Sequence, residues 1–117
     1  MIQLILFQTN VWAKTPVIHI DIQNHLFIPS EITIPVNTKV KLVINNKDDE
    51  DEEFESYELN REKVIIGKHK GIIFIGPLPE GSYPFFGEFF PKTAQGVVLV
   101  KPLSNQEPSA NQKPSAK

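Results

Sequence analysis

The sequence contains no cysteine in 117 residues, and only one methionine and one tryptophan. Without a thiol there is no disulfide, no thiolate nucleophile, no zinc knuckle and no metal–thiolate bond. Basic side chains are also in short supply. Twelve Lys and Arg against fourteen Asp and Glu leave a formal charge of −2, and no Lys/Arg stripe recurs on a helical period, which excludes a strongly basic nucleic-acid surface. No apolar run approaches the ~20 residues that span a bilayer as a helix. The six glycines are scattered and form no phosphate cradle. Ser30, Ser56 and Ser82 lack the context of a nucleophile elbow. The chain is therefore read as a non-enzyme of single-domain size, with enough apolar residues for one modest core.

The two ends read differently from the middle. "MIQLILFQTNVWAKTP" opens with an apolar stretch, Ile2 to Phe7, followed by Val11 and Ala13 in a small-residue pattern before Lys14. This is the outline of a signal peptide over residues 1–13, truncated because the basic start is missing and the apolar run is short. It points to an exported, periplasmic bacterial protein. Residues 102–117 include an imperfect "NQEPSA"/"NQKPSA" repeat, rich in Pro, Ser, Asn and Gln. Such a segment cannot bury enough apolar surface to offset its ordering entropy, and it is read as a disordered tail. Residues 14–100 hold nine basic and thirteen acidic side chains, a net charge of −4, so the acidic character belongs to the folded part.

That folded part, residues 14–101, is punctuated like an all-β domain. "VIHIDIQ" places Ile18, Ile20 and Ile22 on one face of a strand and His19, Asp21 and Gln23 on the other. Ile32 and Ile34, then Val40, Leu42 and Ile44, repeat the two-residue period. Further strands are expected at residues 54–59, 63–66, 71–75, 82–86 and 96–100, with turns at residues 24–25, 35–38, 67–70 and 77–81. About eight short strands at this spacing predict a Greek-key β-sandwich. Gly81 two residues before Tyr83 fits a tyrosine corner, in which the hydroxyl bonds back to nearby backbone. Phe85 and Phe86 then point to opposite faces.

The densest chemistry is acidic. Seven of the eight residues from Asp48 to Glu55 carry carboxylates, a run that repels itself unless cations or water screen it. Asp48 to Glu52 read as a solvated, flexible loop. Glu53 and Glu55 differ, because they flank Phe54, which should enter the core. They then share the outer face of a strand, where they could hold a hard cation or pair with basic side chains of a neighbouring strand. His19, His25 and His69 are not at ligand spacing and read as surface residues.

The stretches "FIPSEITIPVNTKVKLVINN" and "EEFESYELNREKVIIG…IGPLPEGSYPFFGEFFPKTAQGVVLV" resemble a cupredoxin. More specifically, "EEFES", "REK", "GPL" and "GEF..TAQG" are similar to the cysteine-less cupredoxin-like domains associated with bacterial high-affinity iron permeases and ferrous-iron uptake systems. The resemblance implies a metal site at one end of the sandwich, built from the region of Glu52 to Glu55 and the loop from Gly87 to Gln95. Gly87 stands about where a cupredoxin has its cysteine, and Ala94 or Gln95 near its axial methionine. Type 1 copper, which needs a thiolate and two imidazoles, is thereby excluded. Relatives of the iron-associated kind usually carry His after "GEF", where this chain has Phe90. The donors that remain are Glu53, Glu55 and Glu88, with Ser56 and the carbonyl of Gln95 as additional oxygens, a set suited to iron or to weakly held Cu(II). Two readings follow. One is an exported accessory of a metal-uptake system that handles iron or copper ions, with an iron permease or another uptake component as partner. The other is a metal-free interaction module that docks on a permease or another periplasmic protein through Phe89, Phe90 and Pro91.

Overall fold

The computed structural model describes residues 14–103. The leader read in residues 1–13, and the tail apart from Pro102 and Leu103, lie outside them. Nine strands follow one another: β1 Val17–Gln23, β2 Leu26–Ile28, β3 Glu31–Pro35, β4 Val40–Asn46, β5 Glu52–Ser56, β6 Arg61–Ile65, β7 Lys70–Ile75, β8 Gly81–Gly87 and β9 Gln95–Lys101. They form two sheets, in the orders β2-β1-β4-β7 and β3-β9-β8-β5-β6. β1 runs parallel to β4 and β3 parallel to β9, while the other pairs are antiparallel. The expected all-β sandwich is present, with no helix among the described residues.

Period-two alternation carries the core. Ile20, Ile22, Ile34, Leu42, Ile44, Val98 and Val100 are buried, so β1, β3, β4 and β9 present these side chains to the opposing sheet. Phe54 lies stacked on Phe85, with ring centroids 4.9 Å apart, and Phe27 meets both edge-on. Phe85 is buried, while Phe86 faces outward and meets the Tyr57 ring at 5.6 Å. Tyr83 donates its hydroxyl to the carbonyl of Pro79 at 2.8 Å, the bond a tyrosine corner makes.

Two differences from the expected layout matter for the site. β2 is an additional strand of three residues, too short for alternation to register. It pairs back on β1 through a two-residue turn in which Asn24 and His25 both have positive φ, 55° and 60°. β5 begins at Glu52 and ends at Ser56, not at residues 54–59. The Ser56 hydroxyl accepts the N–H of Leu59, and Asn60 takes φ 56°, so the chain turns over residues 57–60 before β6.

The acidic run is also more ordered than a solvated, flexible loop. Asp48 accepts the N–H groups of Asn24 and His25 at 2.8 and 2.9 Å, and Asp51 accepts that of Gly67 at 2.9 Å. Asn46, fully buried, donates its amide to the carbonyls of Glu50 and Ile65 and accepts from the N–H of Asp48. Asp49, Glu50 and Asp51 keep exposed side chains. Three of the acids, Asp48, Asp51 and Glu52, satisfy backbone donors that a turn-rich end of the sandwich would otherwise leave unpaired.

Candidate functional site

Two features lie on either side of β5, one on the outer face of its sheet and one in the loop between β8 and β9. The first is a carboxylate cluster on the outer face of the five-stranded sheet. Glu53 and Glu55 alternate outward on β5 while Glu52, Phe54 and Ser56 turn inward. The register sets Glu55 directly opposite Glu62 of β6, and Glu53 opposite Val64. Glu53, Glu55 and Glu62 each offer an oxygen within 4.8 Å of the others.

Glu88 follows β8, its N–H donated to the carbonyl of Glu53 at 2.8 Å. Its carboxylate is close enough to act on Glu53 and Glu55 electrostatically. It does not join the group at ligand distance; among the described residues the third carboxylate there is Glu62. Ser56 is removed from any ligand set as well. Buried on the inner face, it donates its hydroxyl to the carbonyl of Pro84 at 2.8 Å.

Glu62 is not legible as a member of the cluster from a strand expected over residues 54–59. With the strand running on to Leu59, no register sets residues 55 and 62 opposite each other. The four-residue turn 57–60 does so, and Asn60 was the available signal, because Asn tolerates positive φ.

No basic side chain of the described residues forms an ion pair with the cluster. Among the described residues, the ion pairs within 4 Å are His25 with Asp48 and Glu50, Lys47 with Asp21, and Lys68 with Asp49. Arg61 donates its guanidinium N–H groups to the carbonyls of Phe74 and Asn60 and makes no ion pair within 4 Å. Partial desolvation on the sheet surface, then the charges of Glu62, Glu55 and Glu88, hold the Glu53 carboxyl above its ordinary value. Glu55 is raised by desolvation and by Glu62 and Glu88. Like charges directly opposite on a sheet are destabilising, so the arrangement favours whatever brings positive charge to it. A solvent-open depression lined by Glu55, Ser56, Tyr57, Asn60, Arg61 and Glu62 lies beside it.

The second feature is the loop over residues 88–94. Phe90 lies flat on the His25 ring, with centroids 3.6 Å apart and an interplanar angle of 18°. Thr93 donates to the carbonyl of His25 at 2.6 Å, tying the loop to the β1–β2 turn. Phe89 is 47% exposed, and with Phe90 and Pro91 it lines a shallow apolar depression.

A family model described as the cupredoxin-like domain matches residues 1–100. An uncharacterized protein of Rickettsia prowazekii (strain Madrid E) is 42% identical over 83 residues, which cover 71% of this chain and 66% of that one. The chain thus spans just under two thirds of that relative's length. Among solved structures, auracyanin A, a blue copper protein from Chloroflexus aurantiacus, superposes with a TM-score of 0.65. The match has 11% identity and covers 74% of this chain and 99% of that one. A purple cupredoxin from Nitrosopumilus maritimus gives a TM-score of 0.52 at 24% identity, covering 71% and 98%.

The residues at this end do not fit the copper such a fold holds. A type 1 site takes a thiolate, two imidazoles and a weak axial ligand. Here the pole offers Gly87, Phe90, Ala94, the buried carboxylate of Glu52 and the single imidazole of His25, which stacks on Phe90 and pairs with Asp48 and Glu50, and the chain has no thiol at all. Without a thiolate and a second imidazole this is not a type 1 copper site.

Proposed function

The chain belongs to the cupredoxin-like domain family, and we propose that within that fold it handles hard metal ions instead of carrying electrons. In this reading it is an exported, periplasmic, non-catalytic accessory of a metal-uptake system. It takes up iron or Cu(II) through carboxylates on the outer face of the sheet and passes the ion to a permease. The single observation that carries the reading is the convergence of Glu53, Glu55 and Glu62 within 4.8 Å of one another, with no cationic side chain of the described residues within 4 Å of them. Oxygen donors alone select hard cations, and Cu(II) binds such a site through its general affinity for N and O ligands. The side chains lie at the surface, where an ion can both arrive and leave. The link to iron uptake rests on "EEFES", "REK", "GPL" and "GEF..TAQG", and the periplasmic assignment on the leader in residues 1–13.

A second reading rests on Phe89. An aromatic side chain 47% exposed beside Pro91 suits a metal-free module that docks on a permease or another periplasmic partner. One set of variants separates the two. Calorimetric titration with Cu(II), and with Fe(III) supplied as its citrate, should show binding tighter than about 1 mM. That binding should be lost when Glu53, Glu55 and Glu62 are all changed to Gln, and retained in Phe89→Ser. Binding that survives the triple change, or none tighter than this limit in the wild type, rejects ion handling; loss of cellular cross-links to membrane proteins in Phe89→Ser alone would favour docking.

A further inference from the structure

Glu52 is an acidic residue on the wrong side of its strand. Glu53 and Glu55 face out, whereas Glu52 points into the sandwich and is 1% exposed. Its Oε1 accepts two backbone N–H groups, from Glu53 at 2.8 Å and from Phe89 at 2.9 Å. Its Oε2 is buried with no hydrogen-bond partner among the described residues. A buried carboxylate oxygen left unpaired is costly, so the position calls for a compensating role. The neighbouring residue supplies the context. A Cβ placed on Gly87 would lie 2.3 Å from Glu52 Oε2, 2.4 Å from its Cδ and 2.7 Å from the Ala94 Cβ. The carboxylate therefore fills the space that any side chain at 87 would need, and residue 87 is where the resemblance puts a metal-binding cysteine.

We infer that the Glu52 carboxylate does the joining at this pole that a metal ion would otherwise do, clipping β5 to the loop over residues 88–94 and taking the space beside Gly87. In a metal-bearing sandwich of this kind an ion joins a residue near β5 to residues of the loop before the last strand. Here one side chain spans the same gap. From β5 it holds the N–H of Phe89, while Gly87 and Ala94 close the loop's base with a 2.8 Å hydrogen bond from the Gly87 N–H to the Ala94 carbonyl. Glu52 is thus a positioning residue. It presents Phe89, Phe90 and Pro91 in a set conformation with no metal, and it leaves ion handling to the outer carboxylates. The inference does not depend on those carboxylates binding anything.

The test is amide hydrogen exchange on the full chain, followed residue by residue. Treatment of the wild type with EDTA should leave the protection of the Phe89 amide unchanged; loosening of the loop by EDTA would show that an ion ties it and would overturn the inference. Glu52→Gln retains the accepting oxygen and should keep Phe89 protection within about threefold, whereas Glu52→Ala should lower it by about tenfold or more, the loss of one well-placed hydrogen bond. Equal protection of Phe89 in Glu52→Ala and wild type, or equal loss in Gln and Ala variants, counts against it. Should Glu52→Ala not fold, Gly87→Ala provides the independent arm. It should lower the thermal midpoint sharply in the wild type, because its methyl group meets the carboxylate, and a Gly87→Ala protein as stable as the wild type would refute the arrangement.

Discussion

At the scale of single residues, neighbouring acids in one short run have opposite electrostatic characters. Burial would raise the Asp48 carboxyl, but the N–H groups of His25 and Asn24, with the charges of His25 and Lys68, outweigh it and hold the group below its ordinary value. Asp48 therefore contributes stability that is present above its unfolded pKa and lost as pH falls through its lower folded one. Glu53 and Glu55 are raised, so their ionised forms are disfavoured by folding. Their penalty is present above the folded pKa and relieved as pH falls through it toward the unfolded value. The expected outcome is that Glu53→Gln with Glu55→Gln raises the thermal midpoint at pH 7, and that the gain disappears below about pH 4, where ordinary carboxyls protonate. Asp48→Asn should do the reverse, lowering the midpoint at pH 7 with a loss that shrinks in acid. Thermal unfolding of the variants across this pH range checks both signs.

At the scale of elements, the β5–β6 hairpin decides whether a carboxylate cluster exists. The turn over residues 57–60 is held by the Ser56 hydroxyl and by Asn60 at φ 56°, and it sets Glu55 against Glu62. A one-residue slip would move the alternate residues of β6 to the other face and dissolve the cluster. Glu62→Lys places a cation opposite Glu55 and beside Glu53. It should raise the thermal midpoint, since a charge pair replaces a charge repulsion, and, on the proposed ion-handling role, weaken Cu(II) binding by about tenfold or more because a carboxylate donor is removed. A variant that is stabilised but binds Cu(II) as before would reject Glu62 as a donor. The loop over residues 88–94 is set by contacts from three different elements, β5 through Glu52, the β1–β2 turn through His25 and Thr93, and β8 through Gly87.

At the scale of the whole molecule, the sandwich keeps a cupredoxin architecture without the ligands of a blue copper site. Its stability then has to come from packing and from devices such as the Tyr83 corner. Tyr83→Phe removes the bond to Pro79 and should cost about 1 kcal/mol, the usual net worth of such a bond, in chemical denaturation. A value near zero would mean that the ring's packing, not its hydroxyl, holds the crossover.

The sequence by itself determined the sandwich, because the alternation of Ile20, Ile22, Ile34, Leu42 and Ile44 is local and survives any arrangement of the strands. It also determined that no type 1 copper site can form, since that follows from the absence of cysteine. The outward pair Glu53 and Glu55 was legible too, as a consequence of Phe54 entering the core. Only the tertiary structure decided the remainder: that Glu62 joins the pair, that Glu88 stays outside ligand distance, that Ser56 turns inward, and that Glu52 fills the pole. Each of these depends on cross-strand register and on what lies across the sandwich. Residues far apart in the chain, such as Glu52 and Phe89, meet there through contacts that no local period records.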